Sequence, residues 1–431
     1  MPSSKPHVAL RSPTGKSFFH LRLSRRFFKI AGTVLAATAA VALLGYFWVD
    51  AQNKSGRGGI GREFELAAGP WGKIKARPVL IKAPAEVFDP DFQLGDGLWH
   101  FDSASPHAIA GILRDCGLSE NQISALLATL RQVPGKPNLS TLQPPAETVV
   151  SLEPETRSRL YSRLARLDAN FAQCQPFRMG SDHLEDWLGR SGVDPDTRDL
   201  VRKLLWRSGD TLMFSDYNLV AARIPDPAKR VDFQRLLAEK VALFATMEIP
   251  AGADVDGLVQ YWGAEGRTEA VRSIIESAAA SGGASIGITE ILPPFARQKL
   301  NRFPEPELLK NSPPACHWST FNFFRRGKPD DAFHTAAGVE KEIREHYDPL
   351  KGSPRFGDIV LLNEPDGSSI HSAVFIADDI VFTKNGPSAA TPWVLSTIEE
   401  MTAFYPVGKA LTPVFYRHKT GVACDQGGAL N

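Results

Sequence analysis

The chain has 431 residues, of which 43% are apolar and 23% charged, an ordinary globular composition that allows two domains and an appendage. Its 49 basic and 48 acidic side chains leave a net charge of +1. The net charge is therefore too small to attract nucleic acid electrostatically, and we predict no nucleic-acid partner.

The first 49 residues have the pattern of an export signal or a membrane anchor. Residues 1–29 form a basic flank without acidic residues, and residues 30–49 form an uncharged stretch of about the length of a membrane-spanning helix. The flank contains the sequence SRRFFK at Ser24 to Lys29, which resembles the twin-arginine export signal. Small residues at Val49 and Ala51 would suit signal cleavage, whereas the preceding aromatic residues favour an uncleaved anchor. Both alternatives predict a protein of the bacterial cell envelope, with its bulk in the periplasm.

Residues 50–78 are predicted to be a linker, and residues 79–277 a mainly α-helical region. Ser119 to Gln122 form a capping box ahead of apolar residues at helical spacing. Asp194 and Pro195 start another helix, which Gly209 would stop. The helical spacing of apolar residues recurs in three further sets, which are Leu160, Leu164 and Leu167; Leu236, Leu237, Val241 and Phe244; and Val271, Ile274 and Ile275.

The small residues from Ala278 to Ser285 predict a flexible domain boundary, and beyond it the pattern changes from helical to extended. Residues 286–418 are predicted to form the carboxy-terminal domain, and residues 419–431 a flexible tail. Four strands are predicted in this domain, over Ile359 to Leu362, His371 to Ile376, Ile380 to Thr383 and Pro413 to Arg417. Together with the helical region, they predict an α+β fold with a small antiparallel sheet.

Cys316 is the candidate nucleophile of the chain. It follows two prolines and opens a short apolar helix. His371, 55 positions further along the chain, begins a predicted strand. Main-chain amides at a helix start lower the pKa of a thiol, and an imidazole from elsewhere in the fold completes the ion pair. His317 is adjacent to Cys316, but neighbouring side chains on a helix point in different directions, so we expect His317 at the surface or in the cleft. Surface roles are also expected for His334, His346 and His418.

Residues 286–418 resemble the NlpC/P60 branch of papain-like cysteine peptidases. The resemblance rests on Cys316, on the strand from Gly357 to Leu362, and on the segments His371 to Ile376 and Ile380 to Gly386. It implies a cysteine helix packed on an antiparallel sheet, a histidine that begins the second core strand, and a third polar residue on the next strand. The third position falls between Thr383 and Asn385, and Asn385 is favoured because an amide oxygen can hold the imidazole tautomer.

The resemblance implies cleavage of a peptide or amide bond, with a cell-wall peptide as the substrate and Cys316, His371 and Asn385 as catalytic residues. The chain departs from the family pattern at Ala315, where an aspartate is usual, and at Ala373, where a glycine is usual. These departures leave open an inactive binding module of the cell envelope, or a thiol acyltransferase.

No cofactor and no metal site are predicted, because the chain has neither a CxxC pair nor a Gly-rich phosphate loop. Cys116 and Cys174 would form either a disulfide in an exported protein or two buried thiols. The sequence leaves the oligomeric state open.

Overall fold

The computed structural model describes residues 59–103, 105–179, 184–208, 211–305, 313–405 and 410–419. These residues combine α-helices with antiparallel sheets, which confirms the α+β class. The predicted signal or anchor, and residues 420–431 of the predicted tail, lie outside the described residues. Within the described part of the chain, no helix has the length and apolar character needed to cross a membrane.

A six-stranded antiparallel sheet forms the centre of the carboxy-terminal region. Its strands, in spatial order, are Tyr347–Pro349, Thr412–His418, Ile359–Asn363, Ser369–Ala377, Ile380–Thr383 and Val394–Thr397. The four inner strands match the four predicted ones. Each was predictable because its apolar run and the turn residues at its ends are local features of the sequence. The two edge strands were not predicted.

The two faces of this sheet are covered by different helices. Along the central strand Ser369–Ala377, successive side chains point to opposite faces. Val374 lies in the core beneath the helix Cys316–Phe321, whereas Phe375 shares a core with Met401 of the helix Ile398–Ala403. The two faces of this strand therefore pack against different helices.

A second sheet, of four strands, contains two long strands that lie far apart in the sequence. Its order is Phe64–Glu65, Lys73–Ile81, Lys240–Pro250 and Gly283–Gly287. The strands Lys73–Ile81 and Lys240–Pro250 are paired from Lys73 opposite Glu248 to Ile81 opposite Lys240. Residues 82–239 are thus an insertion between two paired strands, which we call the inserted region.

This sheet corrects three predictions. The described part of the predicted linker contains strands. Val241 and Phe244 belong to a strand rather than a helix, because residues 73–81 supply hydrogen-bond partners that no local pattern shows. The predicted flexible boundary contains the strand Gly283–Gly287, and residues on both sides of it, such as Ile275 and Ile288, share one hydrophobic core.

The inserted region has its own hydrophobic core, which extends from Leu94 to Leu237. It contains two three-stranded sheets, of Trp99–Phe101, Ser140–Leu142 and Arg131–Gln132, and of Phe177–Met179, Thr211–Phe214 and Leu205–Ser208. Its α-helices are Pro106–Asp115, Glu120–Leu127, Ala146–Val150, Pro154–Leu164, Phe171–Cys174, Leu184–Arg190, Pro195–Leu204, Tyr217–Ala221 and Pro227–Leu237, and Ala85–Val87 is a 3₁₀ turn. The region is therefore rich in helices, as predicted, but not purely helical.

Two predicted helix starts in the inserted region are confirmed, and one predicted helix end is wrong. Ser119 and Gln122 form the predicted capping box of their helix. Asp194 caps the helix Pro195–Leu204 as predicted. This helix does not extend to Gly209, because the strand Leu205–Ser208 begins directly after Leu204.

Outside the inserted region, further helices cover the two larger sheets. They are Val255–Trp262, Thr268–Ala280, Ile288–Ile291, Pro294–Lys299, Cys316–Phe321, Ala336–His346 and Ile398–Ala403, with a 3₁₀ turn at Asp331–His334. The hydrophobic core beneath them contains residues from Phe64 to Leu395, so the four-stranded and six-stranded sheets pack around common side chains.

Cys116 and Cys174 are buried thiols that do not form a disulfide. The Cys174 thiol donates to the carbonyl oxygen of Ala165 at 3.1 Å. Of the two alternatives for this pair, the structure contains the reduced one.

Candidate active site

Cys316 begins its helix as predicted, and its side chain is only 6% exposed. The residue before it, Ala315, is the N-cap and is extended, as N-cap residues typically are. Burial raises the pKa of the Cys316 thiol, and the main-chain N–H groups of Ser372, His317 and Cys316 itself oppose that shift. The sulfur therefore faces hydrogen-bond donors in surroundings that favour its neutral form.

The His371 ring is fully buried, and both of its nitrogen atoms have hydrogen-bond partners. Nε2 lies 2.9 Å from Oγ1 of Thr383, and the hydroxyl of Tyr405 bonds to Nδ1. Burial lowers the pKa of His371 to about 3, and the charge of His317 lowers it further. The ring is consequently neutral near pH 7.

The donors and acceptors around His371 form one directed chain. Thr383 donates its hydroxyl proton to Oδ1 of Asn385 at 3.1 Å, so it accepts a hydrogen bond from Nε2–H of His371. Nδ1 is then the acceptor of the Tyr405 hydroxyl proton. Asn385, the residue that the resemblance favours as the partner of His371, reaches the ring through Thr383, which makes the direct contact.

Cys316 and His371 meet the same end of the central strand from different faces of the sheet. His371 shares its face with Phe375, on the side of the helix Ile398–Ala403. Ser372, the next residue, points to the other face, where its hydroxyl donates to Oγ1 of Thr320 at 3.0 Å. Among the described residues, no hydrogen bond joins the Cys316 thiol to the His371 ring. The structure thus brings the predicted pair to one place without joining them.

His317 lies beside the thiol site. Its Nδ1 is 2.9 Å from Oγ of Ser372, the residue whose main-chain N–H faces the Cys316 sulfur. Burial lowers the pKa of His317. Of the two roles expected for His317, the half-buried position fits a residue that lines the site rather than one on the open surface.

Lys384 lies within the range given for the third polar residue, although Asn385 was favoured there. It follows the strand Ile380–Thr383, is completely buried, and donates to the carbonyl oxygens of Gly386 at 2.7 Å and Ser388 at 3.1 Å. Burial lowers the pKa of Lys384 to about 7, and the negative charge of Cys316 acts in the opposite direction. A lysine that directly continues an apolar strand was the available signal.

Tyr405 is a site residue that the sequence did not indicate. It lies just beyond the helix Ile398–Ala403 and is half-buried. Arg178 of the inserted region donates to the Tyr405 carbonyl oxygen at 2.8 Å, and its guanidinium lies 5.9 Å from the ring centre of Phe404. The inserted region therefore holds the segment that carries the hydroxyl bonded to His371.

We predict that Tyr405→Phe lowers the free energy of unfolding by about 1–3 kcal/mol, because Nδ1 of His371 then loses its partner inside the protein. Urea denaturation of the purified protein measures the change. Tyr416→Phe, on the strand Thr412–His418, is the matched control and should stay within about 0.5 kcal/mol of wild type. Equal stabilities of the two variants would contradict the role given to the Tyr405 hydroxyl.

No family model, no curated protein and no solved structure matches this chain. The likeness to NlpC/P60 peptidases therefore rests on the motifs around Cys316 and His371. Within the ranges that the structure describes, no group of three or more His, Cys, Asp or Glu side chains is arranged to hold a metal ion.

Proposed function

We propose that residues 286–418 form a papain-like cysteine hydrolase domain that cleaves a peptide or amide bond. The observation that supports this most is the convergence of Cys316, His371, Lys384 and Tyr405 at one end of the central strand, all with displaced pKa values. Such clusters of perturbed titratable groups are concentrated at functional sites. By its resemblance to NlpC/P60 peptidases, the domain would act on a cell-wall peptide.

In this proposal, Sγ of Cys316 attacks the carbonyl carbon and forms a thioester as the amine leaves. The main-chain N–H of Cys316 contributes to the stabilisation of the oxyanion. His371 is the proton carrier, and Asn385 fixes its tautomer through Thr383. Water then hydrolyses the thioester and restores the thiol.

The observed arrangement fits a closed, resting form of such a site. Tyr405 occupies Nδ1 of His371, and the thiol of Cys316 is buried. Because Tyr405 is half-buried, its displacement would open a path from solvent to the His371 ring. Substrate binding would provide that displacement.

We further propose that residues 1–49 place this domain outside the cytoplasm, either as a cleaved signal or as a single membrane anchor. A periplasmic position would give the domain access to peptidoglycan peptides. The same segment would then be the contact of the protein with the membrane.

The test is to incubate the purified periplasmic part with muropeptides and to identify the products by mass spectrometry. Wild type should release a peptide or amide cleavage product, and Cys316→Ala should release none. Cys116→Ala removes a buried thiol from the inserted region and should behave as wild type. Product release at the same rate by wild type and Cys316→Ala would overturn the proposal.

A second candidate function is a binding module without turnover. The neutral His371 ring, with both nitrogen atoms engaged, favours this alternative, because such a ring has no free position for a thiol proton. In that case wild type and Cys316→Ala bind muropeptides with equal affinity, and neither cleaves them. Calorimetric titration of both proteins distinguishes the two functions.

A further inference from the structure

We propose that Lys384 accepts the thiol proton of Cys316, so that the reactive form of the site is a Cys316 thiolate beside a Lys384 ammonium. Lys384 then acts on the nucleophile itself, first as the acceptor of its proton and then as the counter-charge of the thiolate. The inference rests on the proposed function only for the identity of the nucleophile. Lys384, rather than His371 as the sequence predicted, would then take the proton of the Cys316 thiol.

Lys384 lies on the face of the sheet that carries the Cys316 helix. Side chains two positions apart on a strand share a face, and the ring of Phe382 packs 5.2 Å from that of Phe323, just beyond this helix. Nζ of Lys384 lies 5.7 Å from the ring centre of Trp393. The indole N–H of Trp393 in turn donates to Oγ of Ser319, within the Cys316 helix, at 2.8 Å. Lys384 and the Cys316 helix thus contact the same side chain, that of Trp393.

The hydrogen bonds of Lys384 suit a proton acceptor. A neutral amine has two N–H donors and one lone pair, and an ammonium has three donors. The carbonyl oxygens of Gly386 and Ser388 account for two donors. Among the described residues, no hydrogen bond occupies the third position of Nζ, and none joins it to Sγ of Cys316. This position can hold the lone pair that accepts a proton or the N–H that pairs with a thiolate. Within the described ranges, no carboxylate forms an ion pair with Lys384, which leaves Cys316 as its counter-charge.

The charges around Lys384 support the same pairing. Burial opposes a charge on Lys384 and on Cys316 alike, while each group stabilises the charged form of the other. His317 and Tyr405 are the other titratable groups near the thiol, and Tyr405 stays neutral because burial and the Cys316 charge raise its pKa. The transfer moves one proton from Sγ to Nζ, and no other bond forms or breaks.

His371 cannot take this proton in the observed arrangement. Its Nε2 carries the hydrogen bonded to Thr383, and its Nδ1 accepts from Tyr405. Proton transfer to His371 would first require the loss of the Tyr405 bond, whereas transfer to Lys384 leaves the bonds of His371 unchanged.

The first test is the pH titration of Cys316, measured as the difference in thiolate ultraviolet absorbance between each protein and its Cys316→Ser form. Lys384→Met should raise the pKa of Cys316 by more than one unit, which means at least about tenfold less thiolate near neutral pH. Lys299→Met is the matched control, because Lys299 lies 5.4 Å from the centre of the same Trp393 ring but is paired with Glu305. Lys299→Met should titrate as wild type, and so should His371→Gln.

The second test uses the reciprocal effect and avoids any change at Lys384. Nuclear magnetic resonance of lysine labelled at Cε follows the titration of Lys384 in wild type and in Cys316→Ser. Loss of the thiolate should lower the pKa of Lys384. An unchanged Lys384 titration in Cys316→Ser, or a Cys316 titration that moves with His371→Gln and not with Lys384→Met, would overturn the proposal. Neither measurement needs a substrate, so an absence of hydrolysis refutes the proposed function and leaves this inference intact.

Discussion

Replacing Arg157 with Met should lower the free energy of unfolding by about 3–5 kcal/mol near neutral pH, because it leaves a buried carboxylate without its counter-charge. The Arg157 side chain is completely buried in the inserted region, and Nη1 lies 3.2 Å from Oδ2 of Asp216. Nη2 also donates to the carbonyl oxygen of Val149 at 2.7 Å. Oδ1 of Asp216 accepts from the Tyr161 hydroxyl at 2.8 Å, and among the described residues this is the hydrogen bond of the carboxylate that would remain.

The loss should depend on pH in a defined direction. Burial raises the pKa of Asp216 to about 6, and the Arg157 charge opposes that shift. A carboxyl whose pKa is higher in the folded than in the unfolded state binds more protons when folded, so stability falls as pH rises through the interval between the two values. Without Arg157, the folded pKa of Asp216 rises further. The deficit of Arg157→Met should therefore be largest above this interval and should shrink below about pH 5 as Asp216 becomes protonated.

Urea denaturation near neutral pH and below about pH 5 measures the free energy of unfolding. We would compare wild type, the single variant Arg157→Met and the double variant Arg157→Met, Asp216→Asn. The double variant has no buried charge at this position and should recover part of the lost stability near neutral pH. A single variant that is as stable as wild type, or a deficit that does not change with pH, would show that the ion pair is not the source of the effect.

His371→Ala should also destabilise the protein by about 3–5 kcal/mol, since it removes a fully buried ring and two hydrogen bonds at once. The Tyr405 hydroxyl and Oγ1 of Thr383 both lose their partner. The cavity left by the ring lies in the core that contains Met401 and Phe375. Urea denaturation of the purified protein measures the loss.

His107→Ala is the control for this substitution, because His107 is exposed on the helix Pro106–Asp115. Its stability should stay within about 0.5 kcal/mol of wild type. If His371→Ala were equally well tolerated, the chain from Tyr405 to Asn385 would not stabilise the sheet. A large loss means that activity assays of His371 require the milder variant His371→Gln, so that unfolding is not mistaken for lost catalysis.

Much of the six-stranded sheet was predictable because its signals are local. Alternation and turn residues placed the strand Ile380–Thr383 with its observed bounds. The pairing of Lys73–Ile81 with Lys240–Pro250 was not predictable in this way, since its hydrogen bonds join residues more than 150 positions apart. Val241 and Phe244 carry helical spacing in the sequence, and the distant partner strand overrides it.

The candidate site shows the same limit. Cys316, His371 and Asn385 were found because motifs place them in a known order along the chain. Tyr405 comes to His371 through the packing of the helix Ile398–Ala403, and the sequence does not show that Lys384 is completely buried. The sequence therefore pointed to Cys316 and His371, but not to the tyrosine hydroxyl bonded to His371 or to the burial of the lysine.

The pairing of Ile81 with Lys240 brings the two ends of a module of more than 150 residues to neighbouring positions. A single tight turn could join those ends, so the strands Lys73–Ile81 and Lys240–Pro250 could pair as a simple hairpin without residues 82–239. Because Arg178 reaches from the module to the Tyr405 carbonyl oxygen, such a shortened chain would lose the hydrogen bond that fixes the backbone of this tyrosine.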